Sequence, residues 1–319
     1  MSKSITLIGY NIKSSGGVAR YSRDLRYNMP NVNYRELFKK EIIYNNKKHF
    51  GFISNILYQP FYHINTDIIH TLTTTQFYYK ANVTTLHDLY YKKDLQTVAV
   101  KTALAPMLFK WKMGKLKIIV PDELVKEQVK KYYHTTNNIY VVHHGIDYKY
   151  IDSLKLYNPF TTKNNIVIAG GVDFMRRNQI YLLDKLRNTE YNVYVIGYGF
   201  MDILQEKYKN YPNFYFYKNP GDIDFYSYLK YSDLNLYNTI GEGFGYIIYE
   251  SLYLGKKILI NDNPDNKLLF GDYVNYYNDG NLLELVDYYF KKTDNYKNDL
   301  LKNYSIKNMV DKTLEVYNI

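Results

Sequence analysis

Residues Gly241 to Glu250 read Gly-Glu-Gly-Phe-Gly-Tyr-Ile-Ile-Tyr-Glu, and they decide how the rest of the chain is read. A strand-like run, Leu234-Asn-Leu-Tyr237, precedes them, and a helix-like run from Tyr246 to Leu254 follows. The glycines at 241, 243 and 245 mark a tight turn in which backbone can come close to a ligand. Glu242 sits in that turn. Glu250 sits inside the helix among Ile247, Ile248, Tyr249, Leu252, Tyr253 and Leu254, and a helix that is apolar on nearly every side is a buried one. A carboxylate inside such a helix is costly unless something donates hydrogen bonds to it. Two arrangements satisfy that need: an ion pair with a Lys or Arg elsewhere, or a carboxylate that accepts from the hydroxyls of a bound sugar. Spacing alone does not choose between them.

Outward from this stretch the chain keeps one rhythm. In the first half, Ser4 to Tyr10, Asp67 to Leu72, Val83 to Leu86, Lys117 to Val120 and Ile139 to Val142 are short runs rich in β-branched and apolar residues. Val18 to Met29, with Val18, Tyr21, Leu25 and Met29 at helical spacing, Thr97 to Met113, and Glu123 to Tyr133 read as helices, the last with Asp122 as its cap. The second half has strand-like runs at Asn165 to Ala169, Asn192 to Ile196, Asn213 to Tyr217, Asp233 to Tyr237 and Lys257 to Ile260. Helical runs at Asn178 to Leu186, Met201 to Asn210 and Phe225 to Lys230 separate most of them. Such alternation means parallel α/β sheets, two similar folds in tandem. The joint falls at Asp147 to Asn164, and a last helix at about Ile306 to Tyr317 follows a Lys/Asn/Asp-rich stretch from Lys291 to Asn303.

In open parallel sheets, ligands bind at the carboxyl ends of the strands. Residues just after each strand are therefore the candidates. Ser14-Ser15-Gly16-Gly17 lies between the first strand and a helix, where backbone N–H groups can face an anion, although a Gly-Gly pair alone is more often an ordinary turn. His87-Asp88 closes the strand Val83 to Leu86, and a histidine there is either a ligand contact or one satisfied by local backbone. Gly170-Gly171 follows a strand, and Arg176-Arg177 opens the next helix. Two cations there oppose the helix dipole, a conflict that a gripped diphosphate would remove and that a solvated charge pair would merely tolerate. Gly197-Tyr198-Gly199 follows the next strand. The seven histidines are scattered and cysteine is absent, so no metal site is expected.

These segments, from Gly16 to Glu250 in the right order, resemble the retaining glycosyltransferases of the GT-B fold, family 4, whose signature is Glu, seven residues, Glu. The resemblance implies a GT-B architecture, two Rossmann-like parallel-sheet domains facing across a cleft. It implies a domain over 1–150 for the acceptor, one over 151–305 for a nucleotide-sugar donor, and a helix over 306–319 packing back on the first. It places Glu242 and His87 beside the donor sugar and Arg177 on the diphosphate, the three catalytic candidates. It gives donor binding to Gly16, Gly17, Arg176, Arg177, Gly197, Gly199, Gly243, Phe244, Gly245 and Glu250, the last on the ribose. The stretch Asn219 to Tyr228 falls where relatives hold the base. The pattern is broken in two places. Gly171 stands where relatives carry an Arg, and Asn263-Pro-Asp-Asn266-Lys267 stands where they carry a glycine pair and a Glu. His143 and His144, in a stretch like the family's Asn-Gly-Ile-Asp hinge, read as structural.

Composition bounds the rest. The chain has 319 residues, enough for two ordinary domains, and is 46% hydrophobic. The absence of cysteine excludes a disulfide framework and fits a reducing, cytoplasmic setting. The start runs straight into a strand, and no run is long and apolar enough to span a membrane. The 40 tyrosines, with abundant Asn, Lys and Ile, are explained most simply by A/T-rich codons. The net charge of +10 suits an anionic partner. The reading is thus a retaining glycosyltransferase that needs no cofactor or metal and takes a nucleotide-sugar donor and an unidentified acceptor. Lys101, Lys110, Lys112, Lys115 and Lys117 on the helix around Trp111 would allow peripheral contact with an anionic membrane, or would simply be the solvated face of a core helix. The rivals are a nucleotide-sugar epimerase, a phosphorylase-like activity for which no pyridoxal lysine context is found, and a basic nucleic-acid- or membrane-binding protein. The last would explain the charge but not Glu250.

Overall fold

A computed structural model describes residues 3–9, 12–13, 16–36, 42–44, 47–49, 63–74, 78–89, 111, 114–133, 138–174, 176–291 and 303–318. The chain divides into two compact units, Met1–Gly145 with Tyr304–Ile319, and Ile146–Asn303. Among the described residues the first unit contains, in order, β1 (Ile5–Ile8), α1 (Gly17–Asn28), β2 (Val32–Arg35), β3 (Ile42–Tyr44), β4 (Lys47–His49), β5 (Ile68–Thr71), β6 (Val83–Thr85), β7 (Lys117–Val120), α2 (Glu123–Tyr133) and β8 (Ile139–Val141). The second unit continues with α3 (Tyr148–Ser153), β9 (Asn165–Ala169), α4 (Gln179–Leu186), β10 (Asn192–Gly197), α5 (Met201–Tyr208), β11 (Phe214–Lys218), α6 (Asp222–Tyr231) and β12 (Leu234–Tyr237). It ends with α7 (Tyr246–Tyr253), β13 (Ile258–Asn261), α8 (Pro264–Phe270), β14 (Asn275–Tyr277) and α9 (Leu282–Lys291). The last helix, α10 (Ile306–Asn318), returns to the first unit.

Each unit is built on one six-stranded sheet, ordered β2-β1-β5-β6-β7-β8 in the first and β11-β10-β9-β12-β13-β14 in the second, with every pair parallel. The reason lies in the strands' sequences. Ile-Val-Ile in β9 and Ile-Leu-Ile in β13 have no polar alternation, so both faces must be covered, and that is the condition of a parallel sheet between helices. In the second unit Ile166, Ile168, Val193, Val195, Leu234 and Leu236 pack against Leu182, Leu183 and Leu204 of the flanking helices. Burying each such side chain contributes about 1.5–3 kcal/mol. In the first unit the C-terminal helix supplies Met309, Val310, Val316 and Tyr317 to a core with Leu7, Tyr21, Leu25, Ile68 and Ile119.

The expected strands and helices form within a residue or so of their expected limits, apart from α6, which begins three residues early. Asp122 caps α2, its Oδ1 accepting from the N–H of Val125 at 2.8 Å. Several elements were not foreseen. The expected joint contains α3, started by Asp147, whose side chain accepts from the N–H of Tyr150 at 2.9 Å. Edge strands β2 and β14 are short and half polar, so they lack the apolar run that marks the central strands. Helices α8 and α9 also went unread, although Asn263-Pro264 is a cap followed by proline at the first turn. Of the expected helix Thr97 to Met113, all but Trp111 lies outside the described residues, as do Ser14-Ser15 and residues 292–302. Among the described residues no helix is long and apolar enough to cross a membrane.

Candidate functional site

The strand order of the second unit reverses between β9 and β12, where the chain first runs outward through β10 and β11 and then returns on the other side. Loops that leave the carboxyl ends of such a pair diverge and open a crevice. Here the loop after β9 carries Gly170 to Asn178, and the loop after β12 carries Thr239 to Gly245.

The first loop is organised by Asp173. Its carbonyl accepts from the N–H groups of Arg177 and Asn178 at 3.0 and 2.9 Å, and its Oδ1 accepts from that of Arg176 at 3.1 Å. Asn178, with φ of 38°, caps α4 by accepting from the N–H of Tyr181 at 3.3 Å. Arg176 and Arg177 therefore lie in the turn just before the helix, as the expected helix start at Asn178 implies. Asn178 takes the capping position and frees both guanidinium groups to reach across. The Arg177 guanidinium lies on Gly170, where a Cβ would stand 2.2 Å from its Nη1 and 2.7 Å from Ile247 Cδ1. Only glycine fits there. Gly197 is held more tightly still, with φ of 148° and a Cβ position 1.9 Å from the carbonyl oxygen of Gly170.

The arginines converge on Glu242. Arg176 Nη2 donates to Glu242 Oε2 at 3.2 Å and to the carbonyl of Gly241 at 3.0 Å. Arg177 Nη2 donates to Glu242 Oε1 at 3.2 Å, and the Thr239 hydroxyl donates to the same oxygen at 2.9 Å. The Glu242 side chain is 10% exposed and those of Arg176 and Arg177 are 22% and 23% exposed, so these are not a solvated charge pair. Burial alone would raise the pKa of Glu242; Arg177, Arg176 and the Thr239 hydroxyl outweigh it and hold the carboxyl below its ordinary value. Burial pushes Arg177 down, and the Glu242 charge more than restores it. Two guanidinium groups thus meet on one carboxylate. Nη1 of Arg177 is buried and has no hydrogen-bond partner among the described residues. Guanidinium groups are well matched to ligands with several anionic oxygens.

Gly243 and Gly245 carry the chain from Glu242 into α7, and Gly245 starts the helix with φ of 82°. Phe244 turns inward, 5% exposed and stacked on Tyr249 at 4.8 Å, so only its backbone is left for ligand contact. Glu250 is 1% exposed, and its Oε1 accepts from the Tyr226 hydroxyl of α6 at 2.6 Å. Gly199, with φ of 90°, bridges to Val172, and the intervening Tyr198 ring lies against Gly171 with its side chain 40% exposed. Lys267 is in solvent, paired with Asp262. Among the described residues no three His, Asp or Glu side chains group so as to hold a metal ion.

In the first unit Gly16 and Gly17 begin α1, Gly16 with φ of 105°. His87 is half-buried, and both ring nitrogens are engaged. Nε2 is 2.8 Å from the carbonyl of Leu72, and Nδ1 is 2.9 Å from Nε2 of His144. A carbonyl only accepts, so His87 carries its proton on Nε2, and His144 donates to its Nδ1. Burial lowers the pKa of both rings, that of His144 strongly, and this keeps them neutral. His143 donates from Nδ1 to the carbonyl of Pro121 at 2.8 Å. Sequence reasoning missed four participants: Asp173, Thr239, Tyr226 and the tie between His87 and His144. Only Asp173 had a signal, an Asp four residues before an Arg-Asn helix start.

No family model matches the sequence, and no curated protein matches it either. Solved structures do. HepE of Anabaena, in complex with UDP and glucose, superposes with a TM-score of 0.72 at 13% identity, over 99% of this chain and 100% of that one. Sucrose-phosphate synthase from Thermosynechococcus elongatus gives 0.70 at 13% identity, over 99% and 98%. WaaG, a glycosyltransferase involved in lipopolysaccharide biosynthesis, gives 0.65 at 14% identity, over 98% and 96%. At such identities the likeness is one of fold. The chain has the GT-B fold, with two Rossmann-like units each on a six-stranded parallel sheet.

Proposed function

We propose that the chain is a retaining glycosyltransferase that moves a sugar from a nucleotide diphosphate sugar to an acceptor. The observation that carries this reading is the convergence of Arg176 and Arg177 on Glu242 at the switch point of a GT-B sheet. Support comes from a structural neighbour with UDP and glucose bound.

In this reading the guanidiniums take the charge that develops on the leaving diphosphate, aided by the N–H groups at the start of α7. Arginine is suited to this role because its fork matches phosphate oxygens and stays charged at every working pH. Glu242, fixed by three donors, presents a carboxylate to the sugar. Glu250 anchors the ribose from a position that the Tyr226 hydroxyl sets. His87 has both ring nitrogens engaged by Leu72 and His144, so it is given no proton to shuttle. The two cations supply the neutralisation that a divalent metal would otherwise provide, so no metal is required. Basic surface gives the protein its affinity for anionic partners, and we include peripheral contact with an anionic membrane among them.

A thermal-shift screen against UDP-, GDP-, ADP- and dTDP-sugars, with magnesium and with chelator, tests the proposal. Ligand at about 100 times its dissociation constant adds about 2.7 kcal/mol of stability. A rise with one nucleotide, equal under both conditions, is the expected result, and the anomeric proton of the product by NMR then reports retention. No rise with any of the four sinks the reading.

A further inference from the structure

The end of β13 and the segment after it are rich in asparagine, Asn261, Asn263 and Asn266, and all three close on one residue, Thr239. Asn261 Oδ1 accepts from the N–H of Thr239 at 2.8 Å. Asn263 Nδ2 donates to the carbonyl of Thr239 at 3.0 Å. Asn266 Nδ2 lies 3.3 Å from that same carbonyl, 3.0 Å from the carbonyl of Asn261 and 3.2 Å from Asn261 Oδ1. Asn263 Oδ1 in turn accepts from the N–H of Asn266 at 2.8 Å, starting α8. Asn266 is fully buried and Thr239 is 4% exposed.

This ring of bonds does more than cap a helix. A cap needs only the bond between Asn263 and the Asn266 N–H. The remaining bonds occupy both the N–H and the carbonyl of Thr239, so its backbone has no freedom to turn. From that fixed backbone the Thr239 hydroxyl donates to Glu242 Oε1 at 2.9 Å. From the other side, the N–H of Ile240 donates to the carbonyl of Arg176 at 2.9 Å. The loop that carries Glu242 is thus clamped between the arginine turn and the asparagines. We propose that Asn266 is a positioning residue for Glu242, acting through Thr239, and that the carboxylate's geometry toward the donor sugar depends on it. Asn266 suits the task because one buried NH2 can bridge the loop after β12 and the end of β13, which no aliphatic or acidic side chain of that size can do. The role of Glu242 toward the sugar rests on the function proposed above; its placement by Asn266 does not.

The experiment separates the two. Protein labelled with carbon-13 at glutamate carboxyls is titrated by NMR, the Glu242 signal being assigned by its loss in E242Q. Asn266→Ala and Thr239→Val are each expected to raise the Glu242 midpoint by about half a pH unit or more, the hydrogen bond to the charged form having been weakened. The double variant should add nothing further. Wild-type melting behaviour with an unchanged midpoint in Asn266→Ala, or additive shifts in the double variant, overturns the inference. In donor turnover, Asn266→Ala is expected to lower kcat about tenfold while leaving UDP affinity unchanged, and to have no effect in an E242Q background. A full tenfold loss in that background, or an equal loss of UDP affinity, makes Asn266 a structural residue and overturns the inference. If no nucleotide sugar is turned over at all, the function fails while the carboxyl titration still decides the role of Asn266.

Discussion

The two units solve the same problem, polar groups buried beside a parallel sheet, in opposite ways. The second unit brings charged groups together at its switch point, Arg176, Arg177 and Glu242, all poorly exposed. The network at the centre of the first unit's sheet is built from neutral groups, although Arg20 and Asp24 form a poorly exposed pair on α1. His70, 0% exposed, bonds from Nδ1 to the Tyr317 hydroxyl at 2.6 Å and from Nε2 to Thr85 Oγ1 at 2.8 Å. Thr85 meets the Tyr21 hydroxyl at 3.0 Å, and the Tyr21 ring packs on His87 and His144. The chain of bonds runs from the C-terminal helix through the sheet to α1 and leaves no charge behind. A neutral network that closes on itself stabilises a core. In the function proposed above, the charged cluster of the second unit is the one that meets the donor's phosphates.

Acid should break this comparison most visibly. All seven histidines precede Ile146, so the second unit has none. Burial, with the charge of His87, holds His70 down at about 3, and burial likewise lowers His87 and His144. A base whose folded pKa is depressed is protonated first in the unfolded chain. Its contribution is present above the unfolded value of about 6.5 and is lost as pH falls below it. Three such groups act in the same direction, so stability falls more steeply as pH drops below that value. Glu242 behaves differently: its folded pKa is lowered from 4.5, so its contribution persists until pH drops below that value. Between about pH 6.5 and 4.5 the first unit should therefore lose hydrogen-exchange protection while the second keeps it. Simultaneous loss would mean that the histidines are not the neutral groups described.

The next largest effect belongs to the second unit. Arg177→Ala removes a cation from the leaving-group side and frees one oxygen of Glu242. Loss of one such electrostatic contact typically costs 10²–10³-fold in turnover, so kcat for the donor identified by thermal shift is expected to fall by about that factor. Arg177→Lys keeps the charge without the fork and should fall between. Equal turnover in both variants would move the site away from Arg177.

How far this contrast could be read from the chain alone is instructive. The parallel sheets were legible because β9, β10 and β13 are unbroken apolar runs and their turns are glycines that geometry requires, as at Gly170 and Gly197. The stretch from Glu242 to Glu250 and the Arg176-Arg177 pair were legible as residue types at strand ends. Their pairing was not, because 65 residues separate Arg177 from Glu242 and only the fold joins them. The histidine core was invisible for the same reason. His70, Thr85 and Tyr317 are unremarkable where they stand, and the bond between His70 and Tyr317 spans 247 residues. The helix start at Asn178 was legible, but not that Asn178 sits in the left-handed region and caps the helix with its side chain, which no periodicity marks.

Tyr317→Phe sharpens the picture of the first unit. The change keeps the buried ring, 2% exposed, and removes only the hydroxyl that meets His70 Nδ1. A buried polar atom left without its partner costs about 1–3 kcal/mol. The denaturant midpoint of the first unit should fall accordingly, with the second unit's transition and its donor affinity unmoved. A change under about 0.5 kcal/mol would mean that His70 finds another partner.

The smallest effect is expected where the sequence departs from the pattern it otherwise resembles. Lys267 stands near the position of a glutamate in that pattern, yet its side chain is 55% exposed and pairs with Asp262, itself 40% exposed. An exposed pair of this kind contributes about 0–1 kcal/mol, and solvent screens it. The work at this corner passes instead to Asn266, one residue earlier and fully buried. Lys267→Ala should therefore leave UDP affinity and turnover within about twofold of the parent and stability within about 0.5 kcal/mol, as exposed substitutions usually do. A tenfold loss of UDP affinity in that variant would show that the charged cluster of the second unit extends beyond Arg176 and Arg177 to the surface of α8, and the division between a charged site and its neutral frame would have to be redrawn there.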